Sequence, residues 1–211
     1  MDPIVIPVMA YKLSLRLTPA FRQKRPLFPK LLNTKLVLDI PNLANAGNVV
    51  PSTWTRQEIE AAFKEANRIW QHFANIEFKV LDILDLELRV SEDPEQMFRD
   101  LMADLPRKQV KVPCAFVHDL EEEEGGWGTY WPGGGFTVVS HVAAKSAFAT
   151  YGGLLLAHEL GHVLTDDPGH KLADGMIYNL MYRMMKPDQA KPRTLNQPQI
   201  DLARKNAAAI G

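Results

Sequence analysis

His158, Glu159 and His162 fall in the run Leu154-Leu-Leu-Ala-His158-Glu159-Leu-Gly-His162. On a helix, residues four apart share one face, so both imidazoles can reach a single ion. Glu159 is rotated from that face by about 100° and can hold a water at the ion's edge. Two metal ligands and a base therefore come from five residues, the H-E-x-x-H pattern. Leu156, Leu160 and Val163 fall opposite the histidines, and the small residues Gly153, Ala157 and Gly161 line a flank where another element can pack closely. The helix reads as buried, with the histidine face as its only polar stripe. Imidazoles and a carboxylate buried without a partner are costly, and a metal ion relieves that cost most directly. The competing reading is a satisfied core histidine pair.

A catalytic zinc takes three protein ligands and keeps one position open for water, so the residues after His162 must supply one more. Only His170 follows among histidines, and no glutamate occurs after Glu159, whereas Asp166, Asp167, Asp174, Asp188 and Asp201 remain. The segment from Thr165 to His170 has the composition of a turn, with Pro168 and Gly169 ending the helix and bringing the chain back. His170 is the first candidate for the third ligand and Asp167 the second.

With these residues the chain resembles the metzincin clan of zinc-dependent metallopeptidases, whose extended signature is H-E-x-x-H-x-x-G-x-x-H or the same ending in Asp. Asn179-Leu180-Met181-Tyr182 looks like the clan's Met-turn, which implies that Met181 lies beneath the metal without binding it. Phe136-Thr-Val-Val-Ser140 looks like the strand that precedes the active-site helix. The similarity covers about residues 35 to 208 and is most specific over 154 to 182. Thr165 stands where the clan has glycine and Pro168 where it has the third ligand, with His170 two residues later. Pro168-Gly169 can perform the chain reversal that the missing glycine would serve.

The resemblance implies an α/β (α+β) fold, with a twisted mixed sheet above the cleft, the active-site helix and a small C-terminal subdomain below. All of 1–211 would form a single metallopeptidase domain, its upper part about 1–165 and its lower part about 166–211. The implied activity is peptide-bond hydrolysis, as an endopeptidase, on a protein or peptide substrate, with one zinc ion on His158, His162 and His170. Such an ion lowers the pKa of a bound water, and Glu159 takes its proton and later passes it to the leaving amine. Tyr182 or Tyr178 is a candidate for hydrogen bonding the oxyanion. Two alternatives are a zinc-binding scaffold without catalysis and a zinc hydrolase of a non-peptide amide.

At 211 residues and 46% hydrophobic, the chain is long enough for one domain with a sizeable core. Its net charge of −1, with scattered basic residues, leaves no electrostatic footprint for nucleic acid. The apolar runs are too short for a membrane span, and the first residues lack the pattern of a signal peptide. A monomer, cytoplasmic or exported without a cleavable signal, is the expectation. Cys114 is the sole cysteine, so no intrachain disulfide can form, and its setting in Val110–Val117 reads as core.

The elements that must position the site follow from periodicity. Residues 52 to 75 predict a helix, with Thr55 and Glu58 spaced as a capping box and Ile59, Ala62, Phe63, Ala66, Ile69, Trp70 and Phe73 on one stripe. Strands are expected at Lys35–Asp39, Glu77–Val80, Val110–Val117 and Phe136–Ser140. A last helix is expected from Pro198, capped by Asn196. Gly125–Gly135 combines six glycines with three aromatics and reads as a flexible loop, either bordering the cleft or packed on the surface. Glu121–Glu124 reads as a solvated charge run, and His72, His118 and His141 have no metal-ligand spacing.

Overall fold

Apolar residues alternate along Ile4, Ile6, Val8 and Ala10, the period of a strand with one face on a core. The computed structural model describes residues 2–17, 26–28, 36–37, 49–90, 112–117, 126–131, 134–140, 151–165, 170, 175–176, 178–182 and 193–211. It makes that stretch β1 (Ile4–Leu17), with Ile6, Val8 and Ala10 fully buried. β1 is an inner strand. It pairs in parallel with β5 (Ile76–Val90) on one side and with β6 (Val112–Val117) on the other. β6 is parallel to β8 (Gly134–Ser140), which pairs antiparallel with β7 (Gly126–Trp131). A short β4 (Val49–Val50) adds antiparallel to the far end of β1, at Leu15 and Arg16. All six residues of β6 are buried, as expected for a strand inside a parallel sheet covered on both faces.

Two prolines sit inside this sheet without breaking it. Pro7 pairs with Lys79 of β5 one residue before β6 begins to pair with β1, at Val8. Pro113 of β6 pairs with Met9 one residue before β8 begins to pair, at Cys114. Each lies where the strand is flanked on one side only, the setting in which a missing N–H costs no ladder bond.

The helix expected over 52–75 is α1 (Arg56–Ala74), started by a complete capping box between Thr55 and Glu58 and stopped by Asn75 in the left-handed conformation. Its stripe of Ile59, Ala62, Phe63, Ala66, Ile69 and Trp70 is buried. α2 (Tyr151–Thr165) carries the histidines and packs against α1, β7, β8 and α3 (Gln197–Ile210). The close approach of α1 and α2 depends on Gly153, because a Cβ there would collide with the Glu65 side chain and lie 3.1 Å from the Ala62 carbonyl. α3 begins at the Asn196 cap, with Gln199 completing a second capping box.

The fold is therefore mixed α and β, and three expectations require correction. The segment Gly125–Gly135 is not a free loop: Gly126–Trp131 is a strand, paired along its whole length with Gly134–Ser140. Its Trp, Thr and Tyr residues favour strand, and sheet pairing overrides the conformational freedom of the glycines between them. Of the run at Lys35–Asp39, the described residues Leu36–Val37 form β3, which pairs with β2 (Pro26–Phe28) in a two-stranded sheet separate from the main one. The strand expected at Glu77–Val80 is the first third of a longer one, and β5 stays in register with β1 through a bulge opposite Val8 and Met9. The charge run Glu121–Glu124, His118 and His141 lie outside the described residues.

Candidate metal centre

α2 is almost wholly enclosed. Leu156, Leu160 and Val163 are fully buried on the side away from the histidines, each side chain contributing about 1.5–3 kcal/mol through burial. Trp70 of α1 donates its indole N–H to the Ala157 carbonyl at 2.9 Å, which fixes the helix next to His158. At the C-terminal end, Asn206 of α3 donates to the Leu164 carbonyl at 2.8 Å, and Thr165 bonds back to the Gly161 carbonyl at 2.8 Å. These bonds satisfy part of the carbonyl row that a helix end leaves open.

The packing holds His158 and His162, each 5% exposed, with their Nε2 atoms 3.1 Å apart. His170 brings its own Nε2 to 3.2 Å from that of His158. All three candidate ligand atoms lie within 4.8 Å of one another, close enough to bind one metal ion. Ligand nitrogens around a tetrahedral ion with bonds of about 2.0–2.1 Å are about 3.3–3.4 Å apart, so the observed spacings suit such a site. His158 Nδ1 lies 2.6 Å from the Leu180 carbonyl. A carbonyl can only accept, so that nitrogen carries the proton and Nε2 keeps its lone pair for a metal. Burial first, and then the neighbouring His162, hold the His158 imidazole well below its ordinary range, so it is neutral at physiological pH. Glu159, next in the chain, is 3% exposed.

His170 has a φ of 59°, in the left-handed region. A non-glycine residue there costs roughly 1–2 kcal/mol and persists only where the surroundings impose it. Asp167, the other candidate for the third ligand, lies outside the described residues. Met181 is buried, and its sulfur packs against Gly161 between the two helical histidines. Tyr178 and Tyr182 are half-buried and belong to the same turn through their backbones, Tyr178 accepting from Thr194 and Tyr182 donating to Asn179. His72 is exposed on α1, edge-on to Phe73, and takes no part in the cluster. Cys114 is buried in β6, its thiol pushed up to about 12 by burial.

Trp70 reads from the sequence only as core, and Gln199 and Asn206, which support the turn and the helix, carry no expected role there. For Gln199 a signal was present, since Asn196-x-x-Gln199 has capping-box spacing. Nothing local marks Trp70 or Asn206, whose partners are 87 and 42 residues away.

No family model matches the chain, and no curated protein matches it. Among solved structures 38 chains are similar to it. One belongs to the "Structure of a chaperone-substrate complex", with 12% identity and a TM-score of 0.48. That match covers 100% of this chain but 35% of the other, so the chain spans about a third of its length. No helix among the described residues is long and apolar enough to cross a membrane.

Proposed function

We propose that the chain is a zinc-dependent hydrolase of peptide bonds, of the metzincin kind, acting as an endopeptidase on protein or peptide substrates. The observation that carries this reading is the convergence of three imidazole Nε2 atoms beside the buried Glu159. Three neutral nitrogens suit zinc, and a three-ligand set leaves a position for water, as in catalytic rather than structural sites. His158, His162 and His170 would hold the ion. When bound, it would supply Lewis acidity toward water and the scissile carbonyl.

The work of this chain's own groups follows from position. Glu159 follows directly on a ligand, so its carboxylate is rotated off the ligand face and can accept a proton from water there. Its enclosure excludes bulk solvent, which strengthens its interaction with the reacting groups. The same carboxylic acid can return the proton to the leaving amine. The Leu180 carbonyl keeps His158 in the tautomer that presents Nε2, and Met181 closes the floor against α2. Tyr182 or Tyr178, on the turn that carries Met181, would donate to the developing oxyanion.

Glu159→Gln tests the reading. The variant should keep about one zinc per chain, measured by elemental analysis, and lose hydrolysis of casein, while His158→Ala should lose the zinc itself. Near-wild-type turnover in Glu159→Gln would refute the mechanism. Wild-type protein that binds zinc and cleaves no peptide or unfolded protein would favour the non-catalytic scaffold.

A further inference from the structure

We propose that Gln199, on the C-terminal helix, is a positioning residue that sets the orientation and tautomer of His158. The proposal rests on reading the three histidines as a metal centre only for its consequence on metal affinity.

Gln199 is fully buried and uses both ends of its amide. Its Oε1 accepts from Asn179 Nδ2 at 2.7 Å and from the Asn196 backbone N–H at 3.0 Å. Its Nε2 donates to Asn179 Oδ1 at 3.1 Å. Asn179, itself 1% exposed, is thereby held at both ends of its own amide, and its Oδ1 also accepts from the Met181 N–H at 2.8 Å. That N–H and the Leu180 carbonyl belong to one peptide unit, which is planar and rigid. Fixing the N–H side fixes the direction of the carbonyl on the other side, and that carbonyl receives His158 Nδ1 at 2.6 Å. A second bond, from the Leu180 N–H to the Thr194 carbonyl at 2.8 Å, holds the preceding peptide. The path from Gln199 through Asn179 and the Leu180–Met181 peptide to His158 has no freely rotating group in it.

The choice of glutamine supports a role beyond capping. A glutamate at this position of the helix would complete the capping box equally well and would suit the helix dipole. It could not donate to Asn179 Oδ1, and a carboxylate facing that oxygen would push the Asn179 side chain away. The amide, with one donor end and one acceptor end, is what the facing Asn179 amide requires.

The test compares Gln199→Glu, which keeps the cap and loses the donor, with Gln199→Met, which keeps the volume and loses both. Asn206→Ala is the control, because it removes a bond to α2 from the same helix without touching the path. Three quantities are measured in each: thermal stability without metal, zinc affinity by chelator competition with the cobalt(II) absorption spectrum, and the His158 tautomer by nitrogen NMR. Wild-type protein should show the Nδ1–H tautomer in the metal-free state. Both Gln199 variants should lose it, weaken zinc about 10- to 100-fold and shift the cobalt bands. Asn206→Ala should lose thermal stability alone. Gln199→Glu covers the case in which Gln199→Met does not fold, since its helix cap is intact. Gln199 variants that are folded, retain the Nδ1–H tautomer and bind zinc as the wild type does would overturn the proposal. Wild-type protein that binds no metal, yet shows the tautomer and its loss in the variants, would sink the metal reading and leave the positioning role standing.

Discussion

Gly161→Ala tests whether the histidine helix and the Met181 turn form one mechanical unit. A Cβ at Gly161 would run into the Met181 sulfur, approach its Cε to 2.9 Å and come within 3.1 Å of the Trp70 ring. Met181 is 1% exposed and Trp70 fully buried, so the thioether has no open space to swing into. Alanine gains about 1 kcal/mol of helix propensity over glycine. Overpacking a filled interior costs about 1–3 kcal/mol, so the variant should be less stable by about 1 kcal/mol. For a chain of this size that is about 2–4 °C in Tm. The decisive measurement is the double-mutant cycle with Met181→Ala, by urea unfolding in the presence of chelator. Met181→Ala alone should cost about 2–5 kcal/mol by leaving a cavity. The same change vacates the space the new methyl needs, so the double variant should be more stable than the sum of the singles by about 0.5–3 kcal/mol. Additivity within about 0.5 kcal/mol would show that the two sites are mechanically separate and would refute the packing argument.

The remaining predictions address the ligands, the pH response and the thiol. His170→Ala should weaken zinc binding and activity strongly while Asp167→Ala does neither; equilibrium dialysis giving the reverse order would move the third ligand to the aspartate. Metal-free stability should be independent of His158 above its ordinary value of 6.5, where both states are neutral there. Below 6.5 the unfolded chain takes up the proton first, because burial holds the folded value lower, so stability and zinc affinity should both fall as the pH falls. Urea midpoints that stay level from pH 7 to pH 5 would contradict this. Cys114, with its thiol raised to about 12, should resist a disulfide reagent in the native state and react on unfolding, and rapid labelling of folded protein would count against its placement.

What was legible in the sequence was the information carried by local spacing. His158 and His162 are four apart, and helical geometry alone requires them to share a face. The capping box of Thr55 and Glu58 likewise joins residues three apart, and α1 begins where that pair predicts, as α3 begins where the Asn196 cap alone predicts. The inner strand β1 is not among the strands expected from the sequence although its alternation from Ile4 to Ala10 is plain; Pro7 falls in the middle of that alternation. The rule that excludes proline from inner strands holds for residues flanked on both sides, and Pro7 is flanked on one. β7 was missed for a related reason. Its glycines are read as breakers when taken singly, whereas the six-residue ladder to β8 is a property of the pair of strands.

The candidate site divides along the same line. The helical pair and Glu159 follow from five consecutive residues, but what makes them usable comes from far away in sequence. His170 meets His158 from 12 residues further along and does so with a backbone conformation that its residue type disfavours, which no local propensity predicts. The proton on His158 Nδ1 is set by a carbonyl 22 residues downstream, and that carbonyl's direction by an amide 20 residues further along, from Asn179 to Gln199. The strength of the H-E-x-x-H pattern as a signal and its weakness as a description have one cause. Spacing specifies which atoms can face an ion, while the tautomer, orientation and burial that let them bind it are tertiary properties, held here by α1 through Trp70 and by α3 through Gln199.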